Sequence, residues 1–206
     1  MTAGRLIIIN GGSSAGKTSM AVAFQEIAQE PYFLLGIDLF WFSMPQKEID
    51  LETVSPQYYS WCEDRDEDGK QYFRILPGKY LNESMLARYK SIAAYLDRGL
   101  NVIADEVFWT KEWLLESLRV LENYKTYYIG IRCSDQELSR REAARGDRYL
   151  GWARGSQIYA HKDAIYDLEI ENSNKSPDEC AIEIKNFIES DKAPKAAEEM
   201  RAKFGI

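Results

Sequence analysis

The sequence predicts an α/β fold: five parallel strands flanked by helices, with a hairpin inserted between the second strand and the third. Three observations lead there. Short apolar runs alternate with amphipathic stretches of helical period, the pattern of consecutive βαβ units. The first apolar run passes through a glycine-rich loop straight into a helix. One acidic, aromatic, turn-rich segment, residues 46–80, breaks the rhythm.

The first strand is expected over Arg5–Ile9, where three isoleucines follow a leucine and β-branched side chains favour a pleated surface. A helix from about Lys17 to Gln29 places Met20, Phe24 and Ile27 on one face. The second strand is expected over Tyr32–Ile37. Within the insertion, Trp61–Glu63 and Gln71–Leu76 flank Asp68-Gly69, a turn signal that makes them a hairpin on the sheet's edge or over a pocket. The next helix carries Met85, Tyr89, Ile92 and Leu96 at spacings of four, three and four, with Asn82 as the expected cap. A third strand, Asn101–Ala104, precedes a helix from Lys111 to about Asn123 that buries Leu114, Leu118 and Leu121. Strands at Thr126–Ile131 and Tyr166–Ile170 and a closing helix at Asp178–Ile188 complete the pattern. The tail from Ser190 is charged and reads as a loose final helix.

Gly11-Gly12-Ser13-Ser14-Ala15-Gly16-Lys17-Thr18 fits G-x-x-x-x-G-K-[ST]. Glycines let the backbone turn so that successive N–H groups point at a β-phosphate, and the following helix adds its positive end. Lys17 reaches the β and γ oxygens, and Thr18 offers a hydroxyl to Mg²⁺. The spacing alone recurs by chance, but an isoleucine strand enters here and an amphipathic helix leaves. A P-loop nucleoside-triphosphate hydrolase fold binding ATP and Mg²⁺ is therefore expected.

In open parallel sheets, ligands sit at the carboxyl ends of the strands. Asp38 follows the second strand and Asp105-Glu106 the third. A carboxylate beside the metal holds it through water, whereas one beside an acceptor takes the hydroxyl proton and aims the oxygen. Asp105, after a wholly apolar strand, suits the metal, with Glu106 able to share or replace its role. Asp38, before Phe40-Trp41-Phe42, suits the acceptor. Either could instead cap a helix or turn.

Arg140, Arg141, Arg145 and Arg148 follow the fourth strand, where P-loop kinases carry a lid. Arg141, Arg145 and Arg148 share one helical face unless Gly146 breaks it. Guanidinium groups there would bind nucleotide and stabilise a transferring phosphoryl; the plain alternative is a solvated face paired with Glu137 and Glu142. Trp41, Phe42, Tyr58, Tyr59, Trp61, Phe108 and Trp109 fit a pocket for a ring-bearing acceptor or ordinary core. His161, the single histidine, has no visible partner and is assigned no role.

A chain of 206 residues suits one kinase domain, expected over residues 1–190 with a lid at about 135–155 and a charged tail at 191–206. A net charge of −7 argues against broad nucleic-acid binding. Three separated cysteines form no disulfide framework, and no apolar run reaches membrane length, so a cytoplasmic protein is expected. The oligomeric state is not written in the sequence.

Five blocks in order carry a family resemblance: Ile8-Ile9-Asn10 with Gly11–Thr18, then Gly36-Ile37-Asp38, Asp105-Glu106-Val107-Phe108, Ile131-Arg132-Cys133 and Ala144–Arg148. Together they resemble chloramphenicol phosphotransferase and its relatives, over about Ile7 to Ile188. The resemblance implies a nucleotide-kinase-like five-stranded parallel sheet and ATP-dependent phosphorylation of a primary hydroxyl. It implies Asp38 as the base, Arg145 and Arg148 in the lid, and Lys17 and Thr18 at nucleotide and metal. Gln46–Tyr80 departs from that family in the region that helps form its acceptor pocket. The expected acceptor is accordingly chloramphenicol or another small hydroxylated molecule. A nucleoside or nucleotide kinase shares fold and reaction. A GTPase-like switch is disfavoured: Asp66–Gly69 fits D-x-x-G without a preceding strand, and Asn174–Asp178 has one residue too many for N-K-x-D.

Overall fold

β1 (Leu6–Gly11) is the central strand, parallel to β5 (Asn101–Glu106) on one side and β6 (Thr126–Arg132) on the other. β2 (Tyr32–Leu34) adds outside β5 and β7 (Leu168–Glu171) outside β6, giving one five-stranded parallel sheet, β2-β5-β1-β6-β7. The computed structural model describes residues 2–50, 54–66, 68–146, 149–190 and 192–206. No helix among them is long and apolar enough to cross a membrane.

Strand alternation divides the core in two. Leu6 and Ile8 join the cluster formed with α3 (Lys79–Asp97), α4 (Lys111–Val120) and α8 (Ala196–Phe204). Ile7 and Ile9 join the cluster with α1 (Lys17–Ile27) and α7 (Pro177–Glu189). All four side chains are fully buried, each stabilising the fold by about 1.5–3 kcal/mol.

The same alternation corrects the expectation for Glu106. Val102 and Ala104 of β5 face α3 and α4, and Ile103 faces α1. Asp105 therefore turns toward the phosphate loop and Glu106 away from it. Glu106 is wholly buried in a two-point ion pair with Arg88 of α3, whose Nε donates to Oε1 at 2.7 Å. The Arg88 guanidinium also lies over the Tyr89 and Trp113 rings and donates to the Tyr89 hydroxyl. Glu106 is thus committed to the core and does not stand in for Asp105. Removing Arg88 alone would leave a bare carboxylate in apolar surroundings. Arg88→Met is expected to lower the urea-unfolding free energy by about 3–5 kcal/mol, and adding Glu106→Leu to restore most of it. Equal stability of Arg88→Met and wild type would contradict this account of the pair.

Several boundaries move. β2 stops at Leu34, and Asp38 lies in the first turn of α2 (Ile37–Trp41), not at a strand end. Gly36 makes the transition against β5: a Cβ there would sit 2.9 Å from Asp105 Cβ. Gly78, not Asn82, caps α3. Asn82 instead accepts from Trp113 Nε1 at 2.7 Å and donates to Glu112, tying α3 to α4. Tyr166 precedes β7, and its hydroxyl accepts from Asn10 Nδ2 and pairs with His161 Nδ1. The tail is docked, not loose: Asp167 accepts from the backbone of Lys195 and Ala196, and Ala196 and Met200 of α8 are buried.

The insertion forms its own two-stranded antiparallel sheet, β3 (Tyr59–Arg65) with β4 (Gln71–Pro77). Asp66 and Gly69 belong to its turn, where Asp66 Oδ1 accepts from Lys70 N at 2.7 Å. Asp66 is also ion-paired with Arg154 of α6 (Trp152–His161), and Arg154 Nε reaches Asp135 of α5 (Asp135–Arg145) at 2.7 Å. Arg154 thus ties the hairpin turn to both helices that follow β6.

Candidate active site

β1 delivers the phosphate loop to the mouth of a cavity of about 230 Å³. Ser13, Ser14, Gly16, Lys17 and Thr18 line it, joined by Asp38, Asp105, Arg141 and Arg145. Ser14 and Gly16 have φ of 60° and 85°, the left-handed turns that curl the loop before α1. The first turn of α1 holds no acidic residue, and its N-cap, Gly16, offers no side-chain bond. α4, α5 and α7, by contrast, are capped by Thr110, Ser134 and Ser176. The Ser14 hydroxyl is buried without a partner among the described residues. Uncapped amides, a vacant hydroxyl and the Lys17 ammonium fit the oxygens of a triphosphate.

Lys17 Nζ donates to Gly12 O at 2.8 Å and stands 3.7 Å from Asp105 Oδ1. The Thr18 hydroxyl donates to Asp105 Oδ2. Burial pushes the Asp105 carboxyl up; Lys17 and Thr18 offset this in part, and the charge on Asp38 adds to the rise. A divalent cation beside Thr18 would favour ionised Asp105. Among the described residues no three His, Cys, Asp or Glu side chains form a metal cage. Thr18 and Asp105 are the side chains here that could hold Mg²⁺.

On the other part of the cavity, Asp38 is exposed beside Ile37, Trp41, Phe42 and Val107, with Trp109 and Trp152. The Trp109 ring lies 5.7 Å from Trp41 and 6.4 Å from Trp152, so three indoles stand together there. Of the other aromatics singled out from sequence, Tyr59 and Phe108 are core, while Trp61 packs on Trp152 at 5.2 Å.

Gly146, at φ 68°, ends α5 at Arg145, so Arg141 and Arg145 share that helix and it does not run on past Gly146. Arg148 lies outside the described residues. Arg145 is exposed and lines the cavity. Arg141 is held against the loop: it donates to Ala15 O at 3.3 Å, Asn172 O at 3.2 Å and Glu137 at 2.7 Å. Arg140 and Arg141 together hold the Glu137 carboxyl down at about 2. Glu142, offered from sequence as an arginine partner, instead accepts from the amides of Gly151 and Ala153, both at 2.6 Å, capping α6.

Three contributors had no sequence signal. Ser156 Oγ accepts from Ser13 N at 2.6 Å, Asn172 Nδ2 donates to Ala15 O at 2.6 Å, and Trp152 walls the cavity. Each comes from far along the chain, and only the packing of α6 and the end of β7 brings it to the loop.

His161 sits behind the loop, its Nδ1 2.6 Å from the Tyr166 hydroxyl that also accepts from Asn10. Burial, helped by the positive charges of Arg132 and Lys17, holds its pKa down at about 4, against the contrary pull of Ile131 and Glu169. The unfolded chain binds this proton near pH 6.5, and the folded chain refuses it until far lower. Stability therefore rises with pH across that window and is lost as pH falls. Wild type is expected to lose about 2 kcal/mol more than His161→Gln between pH 7 and pH 5, read by urea unfolding. Parallel pH slopes would contradict it.

The chloramphenicol phosphotransferase-like protein family matches residues 4–189. A protein of Mycobacterium tuberculosis with the provisional name of an O-phosphotransferase is 47% identical over 204 residues, covering 99% of this chain and 91% of the relative. The structure of the M. tuberculosis APS kinase CysC with AMPPNP and APS aligns at a TM-score of 0.63 and 15% identity, over 92% of this chain and 100% of that one. A sugar kinase from Janibacter sp. HTCC2649 aligns at 0.62 and 12% identity, over 90% and 94%. At such identities these two structures show the fold alone, the P-loop kinase fold. With the family matched along nearly its whole length, the chain belongs to the chloramphenicol phosphotransferase-like family.

Proposed function

We propose that this protein is an ATP-dependent O-phosphotransferase that moves the γ-phosphate onto a hydroxyl of a small molecule. The observation that carries the reading is that Asp38 opens into the same cavity as Lys17 and Thr18, near enough for its charge to act on Asp105. The loop amides, Lys17 and Arg141 hold the nucleotide, and Arg145 with Arg148 closes over the γ-phosphate. Thr18 and Asp105 would hold Mg²⁺, which when bound would supply charge neutralisation for the phosphates. Asp38 accepts the acceptor's hydroxyl proton as the new O–P bond forms and the γ-phosphorus parts from the oxygen that leaves with ADP. Exposure of Asp38 to solvent lets that proton go to water afterwards.

The tryptophan walls favour a ring-bearing acceptor, chloramphenicol or another, and nucleosides are the second reading because they too present a ring beside a hydroxyl. A cytoplasmic setting agrees with Cys62, Cys133 and Cys180 all being free thiols. Incubation with ATP, Mg²⁺ and a panel of alcohols including chloramphenicol and nucleosides, followed by mass spectrometry, tests the reading. A phosphate ester on one acceptor class is expected. Turnover of ATP to water alone across the panel would contradict it.

A further inference from the structure

A second cavity, of about 210 Å³, shares Trp109 and Trp152 with the first. β4 contributes Arg74, Ile75, Leu76 and Pro77 to it, and α6 contributes Ser156 and Tyr159. Its lining is mostly apolar, and among the described residues Arg74 is the one charged side chain in it. Two buried N–H donors among the lining residues have no partner among the described residues: Arg74 Nε and Trp109 Nε1. Comparable groups elsewhere are matched. Trp113 Nε1 has Asn82, and the Arg88 and Arg154 Nε atoms have Glu106 and Asp135.

The hydroxyls around this space are already committed. Ser156 accepts from Ser13 and donates to Ala153 O, Thr110 accepts from Trp113 N, and Tyr159 pairs with Tyr72 at 3.2 Å. The polar atoms of the lining side chains that lack a hydrogen bond are thus both donors, one of them on a cation, buried in the wall of the cavity. The Arg74 side chain is half-buried; its guanidinium lies 5.2 Å over the Tyr159 ring and interacts with Cys62, and its NH2 is ion-paired with Asp64 at 3.8 Å, too far for a hydrogen bond. Leaving such donors buried and unmade is costly, and an anionic oxygen satisfies them best because charge-assisted bonds strengthen in apolar surroundings.

We propose that this cavity is the far half of the acceptor site and takes the oxyanion end, carboxylate or phosphate ester, of a ring-bearing alcohol whose hydroxyl lies at Asp38. The proposal rests on the phosphotransferase reading of the first cavity. The shared tryptophans stack on the ring, β4 supplies the anion subsite, and the inserted hairpin becomes the element that selects the acceptor.

The test measures binding and turnover separately, on the full chain with Mg²⁺ and a non-hydrolysable ATP analogue for the first, ATP for the second. The probes are 4-(hydroxymethyl)benzoate, 4-(hydroxymethyl)phenyl phosphate and, as the neutral control, methyl 4-(hydroxymethyl)benzoate. The anionic probes are expected to bind about ten-fold more tightly than the ester, with the stronger of the two naming the source of the oxyanion. Arg74→Met is expected to erase that preference while leaving nucleotide affinity and ester binding unchanged. Trp109→Phe, which removes the indole N–H and keeps a ring, is expected to weaken the preference in part. Equal binding of acid and ester by wild type, or an undiminished preference in both variants, would overturn the subsite. Arg74-dependent binding with no ADP released from any probe would keep the subsite and bring down the phosphotransferase reading. Transfer to the ester as readily as to the acids would do the reverse.

Discussion

Lys17→Ala is expected to lower kcat/KM for ATP by about a thousand-fold or more and to weaken nucleotide binding in the same variant. The side chain is buried, bonded to Gly12 O, and is the cation nearest Asp105. Its charge acts on ground-state phosphates and on the transferring group alike, so both binding and chemistry suffer. Lys17→Arg is expected to rescue little, since a planar guanidinium does not fit where a compact ammonium meets a loop carbonyl at 2.8 Å. Far-ultraviolet circular dichroism separates this loss from unfolding. A Lys17→Ala variant that keeps wild-type turnover would remove the loop from the reaction.

Asp38→Asn is expected to separate what Lys17→Ala loses together. Kcat falls by about 10²–10⁴, the range of a lost general base, while ATP affinity stays within about two-fold. Asp38 is exposed, in the first turn of a five-residue helix, and its change to an isosteric amide is expected to alter stability by no more than about 0.5 kcal/mol. The defect is therefore chemical. Full transfer by the purified variant, with any acceptor that wild type uses, would take the base role away from Asp38.

The phosphate loop was legible because its signal is local: a strand, a spacing of glycines and a helix, all within 27 residues of the N-terminus. The hairpin was legible for the same reason, from Asp68-Gly69 between two β-rich runs. What the sequence misplaced depended on three-dimensional context. Asp105 and Glu106 are neighbours in the chain and look alike, but a strand sends successive side chains to opposite faces. One carboxylate meets Thr18 and the other Arg88. Asn82 has the composition of a cap and serves as a bridge between helices because Trp113 arrives opposite it. Gly146 ends α5, a possibility visible in sequence but settled only by its left-handed backbone. Ser156, Asn172 and Arg74 carry no motif at all. Ser156 and Asn172 gain meaning from loop atoms more than 140 positions away, and Arg74 from the cavity it shares with Trp109.

On the proposed function, the hairpin would let the reaction stay the same while the acceptor changes. Lys17 and Thr18 rest on α1, Asp105 on β5 and Asp38 on α2, whereas the walls of the second cavity come mainly from β4 of the insertion and from α6. Changes in residues 46–80 can alter the second set without moving the first.

Isothermal titration of the folded chain with a non-hydrolysable ATP analogue, with and without Mg²⁺, tests the central claim most directly. Binding in the range of about 1 μM to 1 mM that tightens when Mg²⁺ is present, and is lost in Lys17→Ala, is the expected result. No affinity for any nucleoside triphosphate in either condition, repeated by equilibrium dialysis, would contradict the account.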